Sequence, residues 1–488
     1  MASAAPAQEA MLVVRNPRTG EADHRLAVST AGEVAEKAAR LRAAQVRWAA
    51  LPLETRCGVM GRWLGEVKAK AAEIGEADAV DTGGCHTSYL QGFITMANIG
   101  GWIEDAGKAL AAYDFHGRSA VMPDVEVRSQ LVAYPLVGVI SPWNAPLMLA
   151  MLDAVPALFA GSAVLIKPSE VTPRVIEAIF ETVRAVPELA EVFDYLAGDG
   201  AIGQAVIGEA DLICFTGSVP TGRKVALACA ERLIPCFLEL GGKDPAIVTE
   251  SADLDRAATA VLRGAVYATG QVCYSTERVY VHESVHDAFV EKLVEQARKV
   301  RLNADDPRAG HIGPFTFAPQ AEIVLGHLDD ARAKGAQVLT GGEVERIGGG
   351  SYMRPTVLTG VNHDMTIMQD ETFGPCIPVM AYSDAEEAIR LANDTQFGLT
   401  ASVLAGSEEE ALAIGRRINA GAVFLQDTFL TFGKMRTIGT HSFGFSGLGG
   451  SRTGLESILR FVRRKALMTQ HGPVADIQDD HHLGKGAQ

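Results

Sequence analysis

The sequence predicts an α/β protein with parallel sheets, because short apolar runs alternate with segments of helical pattern. Three buried runs, each ending in turn residues, carry the pattern at 130–140, 162–166 and 211–215. Helical patterns over 172–186 and 220–232 follow the second and third runs. Strands joined by helices form βαβ units, and their ligands bind at the carboxyl ends of the strands.

A second α/β series follows residue 240, which predicts a second domain starting near 241. It consists of a helix at 253–268, a loop that holds Cys273, a strand at 278–281 and a charged helix at 284–301. A length of 488 residues with 48% apolar composition suits a globular chain of two or three domains.

The segment 145–166 is almost entirely apolar and is long enough to cross a bilayer. Asp153 lies inside it, and Pro146, Pro156 and Gly161 are expected to break any single helix. The segment is therefore predicted to be a buried helix that leads into a buried strand, with no membrane span.

The formal charge of −15 disfavours nucleic acid and anionic lipid as partners, so small molecules or further copies of the chain are expected. The seven cysteines are odd in number and contain no CxxC pair, which argues against a disulfide framework or a metal site and favours the cytoplasm. Residues 1–10 do not have the pattern of a signal peptide.

Two terminal features also have competing interpretations. A basic cluster is interpreted as a subunit contact or a solvated edge and not as a polyanion site: Arg460, Arg463, Arg464 and Lys465. His481 and His482, in the polar tail over 471–488, are interpreted as part of a disordered end and not as metal ligands.

Polar residues follow the ends of the first two predicted strands. Asn144 lies between two prolines, so its amide is a rigid candidate donor to an oxyanion, although a turn-forming Asn is the alternative. Glu170 ends Lys167-Pro168-Ser169-Glu170 and could accept both ribose hydroxyls of an adenosine while repelling a 2′-phosphate. A carboxylate that pairs with Lys167 is the alternative.

The third run leads into a glycine-containing turn that opens a helix. Gly217 and Gly222 would let the backbone approach a pyrophosphate, and Ser218 lies where the helix amides begin. An ordinary strand-to-helix turn capped by Ser218 is the alternative, since neither GxGxxG nor a P-loop is present.

Cys273, in Gly270-Gln271-Val272-Cys273, is one candidate nucleophile among the seven cysteines. Glu239 precedes it by 34 residues and stands just before Gly241 and Gly242. Taken alone, the cysteine could be structural and the glutamate an ordinary acid at a strand end.

Seven motifs in order resolve these ambiguities: PWNAP, KPSE, FTGSVPTG, ELGGKDP, GQVC, ETFGP and NDTQFGL. Their order and spacing resemble the aldehyde dehydrogenase superfamily, from about residue 16 to residue 466. The resemblance implies that Cys273 attacks an aldehyde, that Asn144 holds the oxyanion, and that Glu239 activates the water which hydrolyses the thioester.

The same resemblance implies NAD, in preference to NADP, as the hydride acceptor, since Glu170 faces its ribose. It assigns nine residues to the cofactor: Trp143, Lys167, Glu170, Gly217, Ser218, Gly222, Leu240, Glu371 and Phe373. It also implies three parts and a homodimer or homotetramer. These are a Rossmann-like NAD-binding domain (1–113 and 132–241), an α/β catalytic domain (242–440), and a small β oligomerisation element with the C-terminal tail (114–131 and 455–488).

Several positions depart from the family pattern. Ala145 replaces a common aromatic residue, which implies a roomier pocket, and Asp153 replaces a common lysine. The altered stretch after Ser442 resembles the branch of vanillin and other aromatic aldehyde dehydrogenases, so a bulky substrate is predicted, with aromatic aldehydes among the candidates. The predicted substrate pocket contains Ala145, Val272, Tyr274 and Phe443.

Arg436 and His441 are predicted near the substrate mouth, where either could hold a carboxylate or be merely solvated. Two other functions stay open. One is a CoA-acylating semialdehyde dehydrogenase, which Glu239 disfavours because hydrolysis needs a base there. The other is a noncatalytic member of the fold.

Overall fold

The structure is a computed structural model that describes residues 10–474 and residue 477. The start of the chain over residues 1–9 and the predicted disordered tail with His481 and His482 lie outside the described residues. The described part contains two large, mainly parallel sheets with helices between their strands, which confirms the predicted α/β class.

The N-terminal part is a hairpin followed by four helices. The hairpin pairs β1 (Met11–Arg15) with β2 (Ala22–Ala27). The helices are α1 (Ala31–Ala50), α2 (Leu53–Ala69), α3 (Ala71–Thr82) and α4 (Cys85–Ala111). A capping box between Thr30 and Glu33 starts α1, whose apolar stripe packs into the core of the first large sheet.

The first large sheet has six strands: β5 (Leu136–Ile140), β6 (Ala163–Lys167), β7 (Phe193–Tyr195), β8 (Leu212–Thr216), β9 (Cys236–Glu239) and β21 (Gly447–Leu448). Their spatial order is β21-β9-β8-β5-β6-β7, and only the β21–β9 pair is antiparallel. The strand order reverses between β5 and β8, where sheets of this kind bind ligands. Its helices are α5 (Pro146–Ala160), α6 (Arg174–Arg184), α7 (Pro187–Ala190), α8 (Gly200–Glu209) and α9 (Val219–Glu231).

The second large sheet has seven strands: β10 (Asp244–Val248), β11 (Thr276–His282), β12 (Gln337–Thr340), β15 (Thr356–Thr359), β16 (Cys376–Tyr382), β18 (Thr400–Leu404) and β19 (Ala422–Leu425). Their order is β12-β15-β16-β11-β10-β18-β19, with β12 antiparallel to its neighbour. Its helices are α10 (Leu254–Val266), α11 (His286–Arg298), α12 (Pro319–Ala333), α13 (Thr366–Gln369), α14 (Ala385–Asn393) and α15 (Glu408–Gly415). Two small antiparallel pairs lie outside it: the hairpin of β13 (Val344–Ile347) with β14 (Gly350–Met353), and the long-range pair of β17 (Phe397–Gly398) with β20 (Phe443–Gly444).

A separate three-stranded sheet contains β3 (His116–Arg118), β4 (Val125–Ala133) and β22 (Val462–Gln470), in the order β22-β4-β3. The prediction of one strand over 130–140 was therefore wrong, because the run divides between β4 and β5. Pro135 has no N–H to donate, and the Tyr134 N–H bonds to the Phe461 carbonyl at 3.0 Å. The chain thus passes from one sheet to another at this dipeptide.

The apolar segment 145–166 forms the buried helix α5 and the buried strand β6, as predicted. Pro146 starts the helix and Gly161, with φ of +100°, ends it, but the helix continues through Pro156. The expectation that Pro156 breaks the helix was wrong, because packing on all sides holds α5 together around the proline. No helix in the described residues is long and apolar enough to span a membrane.

Candidate active site

The loop that carries Cys273 begins with three successive residues in the left-handed region of backbone space. The φ values are +52° at Ala268, +61° at Thr269 and +72° at Gly270. Such a conformation costs on the order of 1–3 kcal/mol at each non-glycine residue, so its surroundings must hold it. The Thr269 hydroxyl helps, since it donates to the buried Gly313 carbonyl at 2.9 Å.

Gln271 connects this loop to its neighbours. Its side-chain oxygen accepts the Thr316 N–H at 3.0 Å, and its amide nitrogen donates to the Ala268 carbonyl at 3.2 Å. Its backbone carbonyl accepts the Asn144 Nδ2 group at 2.9 Å. The cysteine loop and the loop after β5 are therefore fastened together.

Asn144 lies just before α5 and keeps donor capacity. An amide NH₂ group has two hydrogens, and the bond to the Gln271 carbonyl uses one of them. The second N–H has no acceptor among the described residues, and Asn144 lines the same cavity as Cys273.

The Cys273 thiol borders this cavity but is enclosed by protein on its other sides. Burial raises the pKa of Cys273 to about 12, and the carboxylates of Glu239, Glu371 and Asp244 add to the rise. Arg452 acts in the opposite direction. The thiol is therefore protonated at neutral pH and needs a base before it can react.

Glu239 ends β9 and faces the same reaction centre. Its Oε2 accepts the Ser442 hydroxyl at 3.1 Å. A Cβ at Gly242, three residues on, would collide with the Cys273 carbonyl. Only glycine therefore lets the link from β9 to β10 pass so close to the cysteine loop.

Two cavities meet at Cys273. The first, of about 440 Å³, is mainly apolar and is lined in part by Leu90, Ala145, Met148, Val272 and Tyr274. Ala145 is buried there and packs with Ile94, Met148 and Leu149. The second is an open, more polar cleft of about 690 Å³, lined in part by Glu239, Lys434, His441, Ser442 and Arg452.

Three of the four predicted pocket residues border the first cavity, but Phe443 borders neither. It is 39% exposed on β20, which pairs with β17 at the surface. Its neighbour Ser442 faces Glu239 instead. Arg436 also faces away, because it pairs with Asp105 of α4.

Asp153 lies on α5 and has two buried cationic partners from the C-terminal part of the chain. Its carboxylate pairs with Arg452 at 2.7 Å and with Arg460 at 3.0 Å. Arg452 also donates to Thr216 at 2.6 Å. Burial lowers the pKa of Arg452, but Asp153 and Glu239 outweigh it and raise the pKa overall. Arg460, predicted as a solvated edge or subunit contact, is instead a buried ion-pair partner.

The carboxyl edge of the first sheet holds the residues assigned to a cofactor. At the end of β6 the buried Lys167 ammonium pairs with the Glu170 carboxylate at 2.8 Å. The Oε1 atom of Glu170 has no hydrogen bond within the described residues, and its side chain is 44% exposed. The pair therefore leaves acceptor capacity at the surface for hydroxyl groups such as those of a ribose.

Ser218 precedes α9, but its side chain does not cap the helix. Ser218 stands at the N-cap position, as that alternative expected, but its hydroxyl donates to the Thr221 hydroxyl at 3.2 Å and accepts no helix N–H. The N–H groups of Val219 and Thr221 thus remain available to an anion, while Pro220 between them has none. Gly217 donates to the Glu239 carbonyl at 3.1 Å, and a Cβ at Gly222 would lie 2.6 Å from Leu240.

The loop at residues 371–375 is organised by a buried ion pair that the sequence analysis missed. Glu277 pairs with Lys243 at 2.7 Å and accepts the N–H groups of Thr372 and Phe373 at 2.7 and 2.8 Å. This holds Phe373 at a φ of +53°. Its ring then meets Trp143 edge to face, with centroids 5.4 Å apart.

Glu371 lies between this loop and the β9–β10 link. Its Oε1 accepts the Gly242 N–H at 3.0 Å. Burial, followed by the charge of Glu277, raises the pKa of Glu371 to about 8. The group is therefore largely a neutral carboxyl at pH 7 and can donate a hydrogen bond as well as accept one.

Comparisons with known proteins agree with this arrangement. The sequence profile of the aldehyde dehydrogenase family matches residues 4–467. The chain belongs to the aldehyde dehydrogenase family and is an oxidoreductase that acts on aldehydes.

Two relatives are named succinate-semialdehyde dehydrogenases. A Mycolicibacterium smegmatis protein named "Putative succinate-semialdehyde dehydrogenase (NADP(+))" is 37% identical over 457 residues, covering 92% of this chain and 87% of the relative. A Mycobacterium tuberculosis protein, named in the same way with the number 2, is 33% identical over 459 residues, with the same coverage.

Three solved structures are similar. A putative aldehyde dehydrogenase PutA from Anabaena variabilis has a TM-score of 0.93 at 44% identity, covering 96% of this chain and 99% of that one. Lactaldehyde dehydrogenase from Escherichia coli has a TM-score of 0.90 at 29% identity, and the match covers 95% of this chain and 96% of that one. Betaine aldehyde dehydrogenase from Staphylococcus aureus, solved with NAD⁺, has a TM-score of 0.89 at 27% identity, and the match covers 96% of this chain and 95% of that one.

Proposed function

We propose that the chain oxidises an aldehyde to its carboxylic acid, with NAD as hydride acceptor and a thioester on Cys273 as intermediate. The observation that carries the proposal is the meeting of Cys273, Asn144 and Glu239 around connected cavities beside the carboxyl edge of the first sheet. A nucleophile, an oxyanion donor and a base are the three groups that this reaction needs.

In the first step the Cys273 sulfur bonds to the aldehyde carbon. The thiol proton passes to Glu239 or to a water that Glu239 orients, since the raised pKa keeps the thiol protonated beforehand. The aldehyde oxygen becomes an oxyanion that accepts the free N–H of Asn144 and the backbone N–H of Cys273.

In the second step hydride leaves the thiohemiacetal carbon and a thioester remains. NAD, when bound, supplies the hydride acceptor. Glu239, held by Ser442, releases the thiol proton to solvent, then takes a proton from the water that attacks the thioester carbon and passes it to the departing sulfur. The carbon–sulfur bond breaks, the acid leaves and the thiol is restored. Aldehyde, water and NAD⁺ thus give acid, NADH and a proton.

The residues present fit a dinucleotide. Uncapped amides at the start of α9 suit a pyrophosphate, and Glu170 with Lys167 suits a ribose. Glu371 and Phe373 would hold the second ribose. Glu170 favours NAD because its charge repels a 2′-phosphate, and the Staphylococcus structure contains NAD⁺. The names of the mycobacterial relatives favour NADP, so the preference requires measurement.

The substrate proposal starts from the apolar cavity. Ala145 leaves room there among Leu90, Met148 and Val272, which supports a bulky aldehyde, with aromatic aldehydes among the candidates. The names of the relatives make succinate semialdehyde a second candidate, and Lys434 on the wall of the second cleft favours it.

The assembly proposal is a cytoplasmic homodimer or homotetramer. It is supported by β22, whose side chains are largely exposed and which pairs along its length with β4 at one edge of the three-stranded sheet. An unpaired strand edge is a template for pairing with another chain. The domain boundaries at 113, 131, 241, 440 and 455 belong to the same proposal.

The test is NADH formation with acetaldehyde, benzaldehyde and succinate semialdehyde, each with NAD or NADP and with or without CoA. The native chain should form NADH without CoA, prefer NAD, and give a higher kcat/KM for benzaldehyde than for acetaldehyde. Cys273→Ala should form none. Activity only with CoA would indicate an acylating enzyme, and no activity at all would indicate a noncatalytic member of the fold.

A further inference from the structure

Lys434 is a cation on the wall of the second cleft, which Cys273 and Glu239 also line. It ends a short 3₁₀ turn over Thr431–Lys434 and is half-buried. Its ammonium donates to the Thr440 hydroxyl at 2.9 Å. Within the described residues no carboxylate lies within ion-pair distance of the Lys434 ammonium.

The loop around Lys434 is fixed on two sides. The Gly454 N–H donates to the Met435 carbonyl at 2.9 Å, and Arg436 pairs with Asp105 of α4. Thr440 is itself held, because its N–H donates to the Ser451 hydroxyl at 2.8 Å. The ammonium and its hydroxyl partner are therefore presented to the cleft in a set position, which favours recognition.

The other cations near this cleft are less suited to bind an anion. Asp153 already neutralises Arg452 with a direct ion pair, and Arg436 is directed toward α4. His441 lines the cleft but is exposed to solvent. Lys434 thus stands out as a cation on this wall with a hydroxyl, and no carboxylate, as its direct partner.

Partial burial of an ammonium with only a hydroxyl partner is unfavourable. Burial lowers the pKa of Lys434, although the nearby acidic groups of Glu239, Cys273 and Asp244 oppose this. An anion that entered the cleft would supply a charge-assisted bond, and such bonds are about twice as strong as neutral ones. Thr440 adds a hydroxyl donor on the same wall, because its oxygen accepts from Lys434 and its hydrogen has no acceptor among the described residues.

We propose that Lys434, together with Thr440, binds the carboxylate of an aldehyde whose reactive carbon lies at Cys273. The substrate class is then the semialdehydes, molecules with an aldehyde at one end and a carboxylate at the other. Lys434 is a specificity-determining residue in this scheme, and the inference rests on the proposed aldehyde oxidation.

The test compares succinate semialdehyde with butanal, two four-carbon aldehydes that differ in the terminal carboxylate. The native chain should have the higher kcat/KM with succinate semialdehyde. Lys434→Met should lower that kcat/KM about tenfold or more, mainly through KM, while the value for butanal changes less than about twofold. Lys434→Arg should restore much of the preference, since it returns the charge.

Two further measurements control for folding and for net charge. Lys299→Met removes the same charge from an exposed ion pair with Glu295 on the surface. It should leave kcat/KM unchanged for both aldehydes. Calorimetry should detect binding of succinate to the Cys273→Ala variant. In the double variant that also carries Lys434→Met, succinate should bind at least about tenfold more weakly. That comparison does not depend on turnover.

The inference is overturned if Lys434→Met lowers kcat/KM equally for succinate semialdehyde and butanal, because the lysine would then act on Cys273 or Glu239. It is also overturned if the native chain oxidises butanal at least as well as succinate semialdehyde. Either result leaves the proposed aldehyde oxidation standing. If no aldehyde gives NADH, the proposed function itself fails and the inference fails with it.

Discussion

At the scale of single residues, the reactivity of the nucleophile depends on charges brought in from distant parts of the chain. Burial and then Glu239 are the largest causes of the raised pKa of Cys273, and Arg452 opposes them. Glu239 therefore has two opposite effects in the proposed reaction: it would serve as the base, and as an anion it disfavours the thiolate.

We expect Glu239→Gln to increase the alkylation rate of Cys273 by iodoacetamide at pH 8 severalfold. Alkylation depends on the thiolate population, and removal of the negative charge lowers the pKa of the thiol. Steady-state NADH formation should fall in the same variant, since the water loses its base. Mass spectrometry of the Cys273 peptide separates this thiol from the other cysteines.

The matched control is Glu295→Gln, which removes a carboxylate from an exposed pair with Lys299 on α11. It should leave the alkylation rate unchanged. Slower alkylation in Glu239→Gln would mean that the carboxylate promotes thiolate formation, which would contradict the electrostatic argument.

Sequence motifs predicted part of this constellation and could not predict the rest. Asn144 and Cys273 stand in short motifs whose order indicated the family, which the comparisons confirm. Their catalytic roles stay predictions. Lys434 gave no local signal. Gln271 and Ser442 lie in or beside stretches that the sequence singles out, but their roles depend on contacts with residues far away in the sequence.

At the scale of elements, α5 joins three parts of the site. Its N-terminal end carries Asn144 and Ala145, and Asp153 in its middle is buried against Arg452 and Arg460 near the C-terminal end of the chain. Asp153 stands where the family commonly has a lysine. Arg452 supplies a positive charge beside the reaction centre and Asp153 balances it.

Asp153→Asn should lower the thermal midpoint and the free energy of unfolding, the latter by about 3 kcal/mol. The substitution keeps the shape of the side chain but leaves two buried guanidinium groups without a compensating charge. Asp255→Asn, at an exposed pair with Lys292, should have little effect. Equal stability of Asp153→Asn and the native chain would show that the two arginines need no anion.

Element prediction succeeded where local pattern and tertiary context agree. The bounds of strand β11 and helix α9 were predicted to within a few residues. In both elements the spacing of apolar residues is regular and turn residues mark the ends. The run 130–140 was misassigned because both of its halves are strands, and the sequence does not show that they belong to different sheets. Tyr134 and Pro135 are the only local sign of the division.

At the scale of the whole molecule, buried acids make stability depend on pH. Asp78 of α3 is fully buried, and its Oδ2 accepts Gln91 Nε2 at 2.8 Å while its Oδ1 has no partner among the described residues. Gln91 in turn accepts the Met148 N–H at 3.3 Å, which links α3 and α4 to α5. Burial raises the pKa of Asp78 to about 7.

The raised pKa of Asp78 determines how the free energy of unfolding changes with pH. Between the ordinary pKa of 3.8 and about 7, the folded chain binds a proton at Asp78 that the unfolded chain has released. The stabilisation that Asp78 contributes is therefore fully present below its ordinary pKa of 3.8, and it is lost as the pH rises toward 7. Asp81, with a pKa raised by burial to about 8 despite Arg174, acts in the same direction.

Asp78→Asn should therefore raise the thermal midpoint at pH 8 and leave it nearly unchanged at pH 4. An asparagine keeps the acceptor for Gln91 but carries no charge that must be buried, so its benefit exists only where the aspartate is ionised. Scanning calorimetry at the two pH values measures the difference, with the exposed Asp329→Asn as control. A gain of the same size at pH 4 would show that packing, and not ionisation, causes it.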